Sequence, residues 1–271
     1  MHPMLDHVRS ALFLPASNAR AIAKARTLPC DMVILDLEDS VRDADKDAAR
    51  AAAQAAADGG WGERLMAVRL NGPGPSHDAD LAALSSLRGI DLIVVPKVET
   101  AEYADVLARR LGKPLLAMIE TPAGVYAARE IAGVAQVVGL IAGSNDLAAT
   151  LRLPPDAGRD GLTLALQSIV LAARAAAIVP LDGVFNLLDD SDALEADCLA
   201  GRALGFSGKG LIHPKQIEVA NRIFAPSAEE IDEAKALIAA ASGGAERFRG
   251  RMIETMHVDA ARRALKRAVP A

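Results

Sequence analysis

Short, nearly unbroken apolar runs recur along the chain at 10–15, 32–38, 65–71, 92–98, 115–120, 137–143, 180–185 and 208–213. Runs of this length suit strands, and a strand that is apolar on both faces belongs in a sheet covered on both sides. Between them lie Ala-, Arg- and Leu-rich segments of helical composition at 41–58, 80–87, 101–111, 162–177 and 191–204, and the interval after Thr121-Pro122 fits one crossover helix. The alternation predicts a parallel α/β sheet. Eight such units in 271 residues predict a closed (β/α)8 TIM barrel rather than an open doubly wound sheet. The Gly-rich phosphate loops of open sheets are absent, and Gly143-Ser144-Asn145-Asp146 matches neither pattern.

Helical patterns at 214–224, 227–241 and 258–268, interrupted by Gly243-Gly244, follow the eighth run. The expected division is a catalytic barrel over residues 1–224 and a C-terminal helical extension or lid over 225–271, which caps the barrel or packs on a neighbouring subunit.

In such a barrel the chemistry lies at the C-terminal ends of the strands. Polar residues gather there: Ser17 and Asn18, Asp36 with Glu38 and Asp39, Arg69 and Asn71, Lys97, Glu120, Asp146, Asp182 and Asn186, Lys209 and His213. Glu120 and Asp146 end neighbouring strands, so their carboxylates can share one Mg²⁺ and leave coordination positions for waters and substrate oxygens. A local alternative sets Glu120 beside the start of the helix at Thr121-Pro122 and makes Asp146 a cap for the segment after it.

Period-two alternation turns Arg69 into the barrel mouth while Val68 and Leu70 face the other way. Its planar fork suits either a substrate carboxylate or an internal ion pair with Asp36 or Glu38, and both remain open. Asp36 and Glu38 share a face, where they can orient Arg69 or Lys97, exchange protons, or bind metal-held water. A Schiff base at Lys97 is disfavoured, because the carboxylates around it stabilise the ammonium form. His213, ahead of Pro214, is a base or a helix-entry residue in contact with a cofactor.

Composition narrows the function classes. A net charge of −5 and 3% aromatic residues argue against nucleic acid as a partner and favour a small-molecule substrate. Cys30 and Cys198 lack the spacing of a zinc site or disulfide scaffold and are expected as buried free thiols. Neither a signal segment nor a run long enough to span a bilayer is found, so no membrane partner and a cytoplasmic location are expected.

The ordered segments Arg9-Ser10-Ala11-Leu12-Phe13-Leu14-Pro15, Leu35-Asp36-Leu37-Glu38-Asp39-Ser40-Val41, Val68-Arg69-Leu70-Asn71, Pro96-Lys97-Val98-Glu99, Ile119-Glu120-Thr121, Gly143-Ser144-Asn145-Asp146-Leu147 and Gly208-Lys209-Gly210-Leu211-Ile212-His213-Pro214 resemble the HpcH/HpaI aldolase and citrate lyase β-subunit family over almost the whole chain. The resemblance implies a Mg²⁺-dependent barrel enzyme that makes or breaks a carbon–carbon bond between an α-keto acid and an acyl thioester, working as a homo-oligomer, trimer or hexamer. It assigns Mg²⁺ to Glu120 and Asp146, and the keto-acid carboxylate to Arg69 and the amides of Gly143, Ser144 and Asn145. Coenzyme A is implied near His213 and Pro214.

One departure concerns the extension. Thioester-cleaving relatives read approximately Asp-Gly-Lys-Met-Ile-Asp, the last Asp being offered to a neighbouring subunit's site. This chain reads Arg249-Gly250-Arg251-Met252-Ile253-Glu254, which keeps the final charge on an arm longer by one methylene. The expected reaction is lysis of a citramalyl-, malyl- or citryl-CoA type thioester, with catalytic roles for Arg69, Glu120, Asp36, Glu38 and Glu254. The alternatives are a class II-type pyruvate aldolase on free aldehydes and a non-autonomous β subunit of an acyl-carrier-dependent citrate lyase complex.

Overall fold

A computed structural model describes residues 4–85 and 88–268. Its elements run β1 (Ser10–Pro15), α1 (Ala19–Ala25), β2 (Met32–Asp36), α2 (Lys46–Ala57), β3 (Leu65–Arg69), α3 (Pro75–Leu84), β4 (Leu92–Val95), α4 (Ala101–Leu111), β5 (Leu115–Ile119), α5 (Pro122–Ala132), β6 (Val137–Ala142), α6 (Ser144–Thr150), α7 (Thr163–Ala175), β7 (Val179–Asp182), α8 (Ser191–Leu204), β8 (Gly208–Leu211) and α9 (Ile217–Phe224). The eight strands are parallel and close on themselves, with Ala11 of β1 paired to both Met32 of β2 and Gly210 of β8. The (β/α)8 expectation is met.

Alternation sorts the strand side chains into two apolar layers. Ala11, Phe13, Met32, Ile34, Ala67, Leu92, Val94, Leu116, Met118, Ile141 and Leu181 fill the interior, closed below by Leu5 and Val8. Their neighbours Leu12, Leu14, Val33, Leu35, Val68, Ile93, Val95 and Ile119 face outward and pack under the helices. The barrel is thus a filled core rather than a pore, and its C-terminal end is where chemistry is expected. The strands stop two or three residues short of several predicted ends: the ladder between β2 and β3 ends at Asp36 opposite Arg69, and 37–41 turns away.

The helix predicted at 80–87 begins earlier, at Pro75, where the proline suits the first turn, and it ends at Leu84; Ser86 and Leu87 of that prediction lie outside the described residues. Two barrel helices escaped the pattern. Helix α1 is only seven residues long and is marked chiefly by its cap, Asn18, whose side chain accepts the Ala21 amide. Helix α6 is also seven residues and buries only Leu147.

Beyond the barrel lie α10 (Ala228–Ala240), an antiparallel pair β9 (Glu246–Phe248) and β10 (Arg251–Ile253), and α11 (Thr255–Ala268). The hairpin was not anticipated, although its turn carries a signal: Arg249 and Gly250 both have positive φ, as a two-residue type I′ turn requires. Ala234, Leu237, Phe248, Ile253 and Ala261 form a small core of their own. Arg267 of α11 donates to the carbonyls of Ser207 and Phe224, and Lys266 faces Asp6, tying the helix end to the barrel. No helix among the described residues is long and apolar enough to cross a membrane.

Candidate active site

A cavity of about 420 Å³ opens at the C-terminal end of the barrel, with Phe13, Met118, Ile141 and Val184 among its apolar lining and Asp36, Arg69, Glu120, Ser144, Asn145 and Asp146 among its polar groups. Inward alternation on the strands turns Phe13, Asp36, Arg69, Met118 and Ile141 into it, while Ser144, Asn145 and Asp146 come from the first turn of α6. Met118, Phe13 and Ser40 were missed as functional candidates. The first two carry the same alternation signal, whereas Ser40 shows its role only through its bond to Asp36.

Arg69 makes the internal ion pair that the sequence offered as one of its two roles. Its Nε and Nη2 each lie 2.7 Å from an oxygen of Asp36, directly opposite in the strand register, and Nη1 lies 3.0 Å from Glu38 Oε2. The guanidinium also stacks 5.3 Å from the Phe13 ring centroid, and its Nη1 reaches Met118 Sδ at 3.8 Å. A fork held on one edge by Asp36 keeps its remaining edge at the cavity, where Arg69 is part of the lining.

Asp36 also accepts from the amides of Glu38 and Ser40 and from the Ser40 hydroxyl. Burial opposes its charge but is outweighed by Arg69 and these donors, which hold the carboxyl below its usual range. An acid so fully bonded orients its partner; it is poorly suited to exchanging protons. Glu38 differs. Burial raises its pKa against the pull of Arg69 and Lys97, and its Oε2 is buried with no aligned hydrogen-bond donor.

Glu120, just beyond β5, is 3% exposed, and its Oε1 accepts the Lys97 amide at 2.7 Å. Burial, with the charges of Glu38 and Asp146, pushes its carboxyl up to about 8. Gly143 lies against it: a Cβ there would meet Glu120 Cβ at 2.2 Å and Oε2 at 2.5 Å. Asp146 stands in the first turn of α6, whose N-cap is Gly143 with no side-chain bond, so Asp146 does not serve as the cap. Thr121 performs that task for α5, accepting the Gly124 amide, so Glu120 does stand beside that helix start, as the local alternative had it, with its carboxyl turned to the Lys97 amide.

The oxygen donors fit Mg²⁺. Two carboxylates border an open cavity, one is driven toward neutrality by burial and by its acidic neighbours, and an oxygen of Glu38 without an aligned hydrogen-bond donor is also buried. A divalent cation between Glu120 and Asp146 would restore the charge that burial opposes and leave positions for a ligand. No cluster of three or more His, Cys, Asp or Glu with ligating geometry occurs among the described residues, so protein would supply only part of the coordination shell.

Lys97 joins these acids. Its Nζ lies 2.9 Å from Glu38 Oε1 and 3.9 Å from Asp146 Oδ2, and its backbone has φ of 52°, a left-handed conformation that costs a non-glycine residue about 1–3 kcal/mol. The Glu38 hydrogen bond raises its pKa above the ordinary lysine value, in keeping with the rejected Schiff base.

Other expectations need correction. The Gly143 amide already donates to Ile119 O at 3.0 Å, continuing the β5–β6 ladder, so it is not a free member of the expected carboxylate cradle. Ser144 and Asn145 remain at the mouth, with the Asn145 side chain paired to Asn186. Asp182 ends β7 but Lys209 stands near the start of β8, not at its C-terminal end, and both turn outward, where Lys209 Nζ bonds Asp182 at 3.0 Å and Asp197 at 2.5 Å, with Arg159 on both acids. Gly201 leaves the space for this buried network: a Cβ there would meet Asp182 Oδ2 at 2.4 Å.

His213 proves to be a helix-entry residue. Its Nδ1 accepts the Lys215 amide and the Gln216 side chain accepts its N–H, a reciprocal cap around the turn that starts at Pro214. His213 and Pro214 stand beside Ile212, which lines the cavity. Within one chain Glu254 is not brought to the mouth; it lines a separate crevice of the extension with Ile238, Val258 and Arg262.

Comparison with known proteins agrees with this geometry. The family described as HpcH/HpaI aldolase/citrate lyase matches residues 9–214, and that described as C-C bond lyase of the TIM-barrel fold matches residues 166–269. A (3S)-malyl-CoA thioesterase of Cereibacter sphaeroides is 38% identical, with 96% of this chain and 94% of the relative covered. A citrate lyase subunit beta-like protein of Deinococcus radiodurans is 35% identical, with 91% and 92% covered. The CitE protein of Mycobacterium tuberculosis, solved in complex with magnesium, acetoacetate and coenzyme A, superposes with a TM-score of 0.82 at 33% identity, covering 96% of this chain and 97% of that one.

Proposed function

Because this chain belongs to the HpcH/HpaI aldolase/citrate lyase family, we propose that it is a Mg²⁺-dependent carbon–carbon lyase acting on a 3-hydroxy-3-carboxyacyl thioester of coenzyme A. The observation that carries the proposal is the convergence of Glu120, Asp146 and the edge of Arg69 on one cavity, in a chain that superposes on a structure holding magnesium and coenzyme A.

Glu120 and Asp146 would hold the ion. When bound, Mg²⁺ supplies a Lewis acid that lowers the pKa of the substrate hydroxyl and stabilises negative charge as it develops. Arg69, fixed by Asp36, orients the substrate carboxylate, so that binding energy is used for alignment. Glu38, with an oxygen that lacks an aligned hydrogen-bond donor and a pKa raised by burial, is the carboxylate suited to exchange a proton. In the overall reaction the hydroxyl proton leaves, the bond between the carbinol carbon and the thioester α-carbon breaks, and the released enolate takes up a proton. The products are an α-keto acid and an acyl thioester.

We read residues 225–271 as an extension that reaches a neighbouring subunit in a homotrimer or hexamer, bringing Glu254 to that subunit's mouth, with His213 and Pro214 near the nucleotide and the enzyme working in the cytoplasm. A second reading draws on the 38% identical (3S)-malyl-CoA thioesterase. It is hydrolysis of the same thioester. Mass spectrometry of reactions with malyl-, citramalyl- and citryl-CoA, with Mg²⁺ or chelator, separates the two. Lysis yields keto acid and acyl-CoA only with Mg²⁺, whereas hydrolysis yields free coenzyme A and the intact hydroxy di- or tricarboxylic acid. Turnover of free pyruvate and aldehydes without coenzyme A would transfer the assignment to the aldolase alternative, and activity only with an acyl-carrier partner would transfer it to the citrate lyase subunit.

A further inference from the structure

We propose that Lys97 is a counter-cation built into the acidic mouth, a positioning residue whose ammonium holds Glu38, faces Asp146 and opposes the binding of a free divalent ion. The inference rests on Glu120 and Asp146 being the metal-holding acids. One residue reaches three acids of the mouth: the amide of Lys97 bonds Glu120 Oε1 at 2.7 Å, while Nζ lies 2.9 Å from Glu38 and 3.9 Å from Asp146. The backbone at Lys97 is left-handed, φ 52°, where its amide meets Glu120 and its side chain the other two acids. Such a conformation at a lysine persists where its surroundings over-determine it.

The sign of the effect discriminates this role from simple bracing. A positive charge among carboxylates repels an incoming cation, so its removal leaves the mouth more negative and should tighten metal binding. A side chain that merely braced the acids would, once removed, let them move apart and weaken binding. The counter-cation limits uptake of the bare ion and makes tight binding depend on an anionic substrate that completes the site.

The test is Mn²⁺ binding to the full chain without substrate, read from the electron paramagnetic resonance of the free ion, for wild type, Lys97→Met, Lys97→Gly and Lys97→Arg. Glycine accepts the left-handed backbone and keeps the amide, so it guards against a folding defect in the Met variant. We expect both neutral variants to bind Mn²⁺ tighter by on the order of tenfold and Lys97→Arg to stay near wild type. Unchanged or weaker binding in Lys97→Met and Lys97→Gly overturns the proposal. Glu120→Gln separates this failure from failure of the metal assignment. If it abolishes Mn²⁺ binding while the Lys97 variants bind no tighter, only the Lys97 role falls. If it leaves binding intact, the metal assignment falls and the Lys97 role with it.

Discussion

Gly143→Ala perturbs the site through a single methyl group. The backbone at Gly143, with φ of −98° and ψ of 77°, is open to alanine, so the whole effect is steric. The new Cβ would lie 2.2 Å from Glu120 Cβ, more than 1 Å inside ordinary contact. That neighbour is the root of the Glu120 side chain, so it cannot rotate away. Residues 119 and 143 are also fastened by the Gly143 amide on Ile119 O. Relief therefore requires the ends of β5 and β6 to separate, carrying Glu120 and α6, with its Asp146, apart by roughly 1 Å, a misplacement that can cost a catalytic centre about 100-fold in rate. Overpacking of this kind destabilises by about 1–3 kcal/mol, or roughly 2–10 °C in Tm for a domain of this size. Steady-state kinetics on the thioester with saturating Mg²⁺, beside a calorimetric melt, checks both. A variant with wild-type kcat and Tm would refute the claimed closeness of Gly143 to Glu120.

Lys209→Met should destabilise the fold by up to about 3–5 kcal/mol in urea titration, because it leaves the two acids Asp182 and Asp197 to share Arg159 alone, while Mn²⁺ affinity stays unchanged; a loss under 1 kcal/mol would argue against the network. The Asp36–Arg69 pair should contribute stability above the usual carboxylate range that is lost as pH falls through the lowered pKa of Asp36. Unfolding free energy measured between about pH 6 and 3 should therefore fall more steeply in wild type than in Asp36→Asn, and equal slopes would contradict the pairing. Cys30 and Cys198, pushed up to about 11 chiefly by burial, should resist a thiol-disulfide reagent at pH 8 until the protein unfolds. Their raised pKa values also predict stability that declines as pH rises from about 9 to 11, since the unfolded thiols ionise first; rapid native labelling of both would count against this.

Much of the barrel was legible because its strands are apolar on both faces and its helices are not, a contrast that survives in a single sequence. The acids at the mouth were legible because strand ends in such a barrel converge. Alternation decides which strand residues enter the mouth, and it was applied to Arg69 but not to Asp182 and Lys209, whose side chains turn outward one position away from Leu181 and Gly210. The ion pair at Arg69 was not decidable from sequence, since substrate carboxylate and Asp36 offer the same partner chemistry; the strand register, invisible in one chain, sets Asp36 directly opposite Arg69. Short elements were lost for a related reason. Helices α1 and α6 bury too little to show a periodic stripe, and the β9–β10 pair is three residues on each side.

Crystals soaked in Mn²⁺ offer the most direct test, because anomalous scattering locates the ion without reference to turnover. A single strong peak bridging the carboxylates of Glu120 and Asp146 at the C-terminal end of the barrel is expected, and it should vanish in Glu120→Gln. A peak elsewhere on the chain, or one that survives that substitution unchanged, would contradict the account.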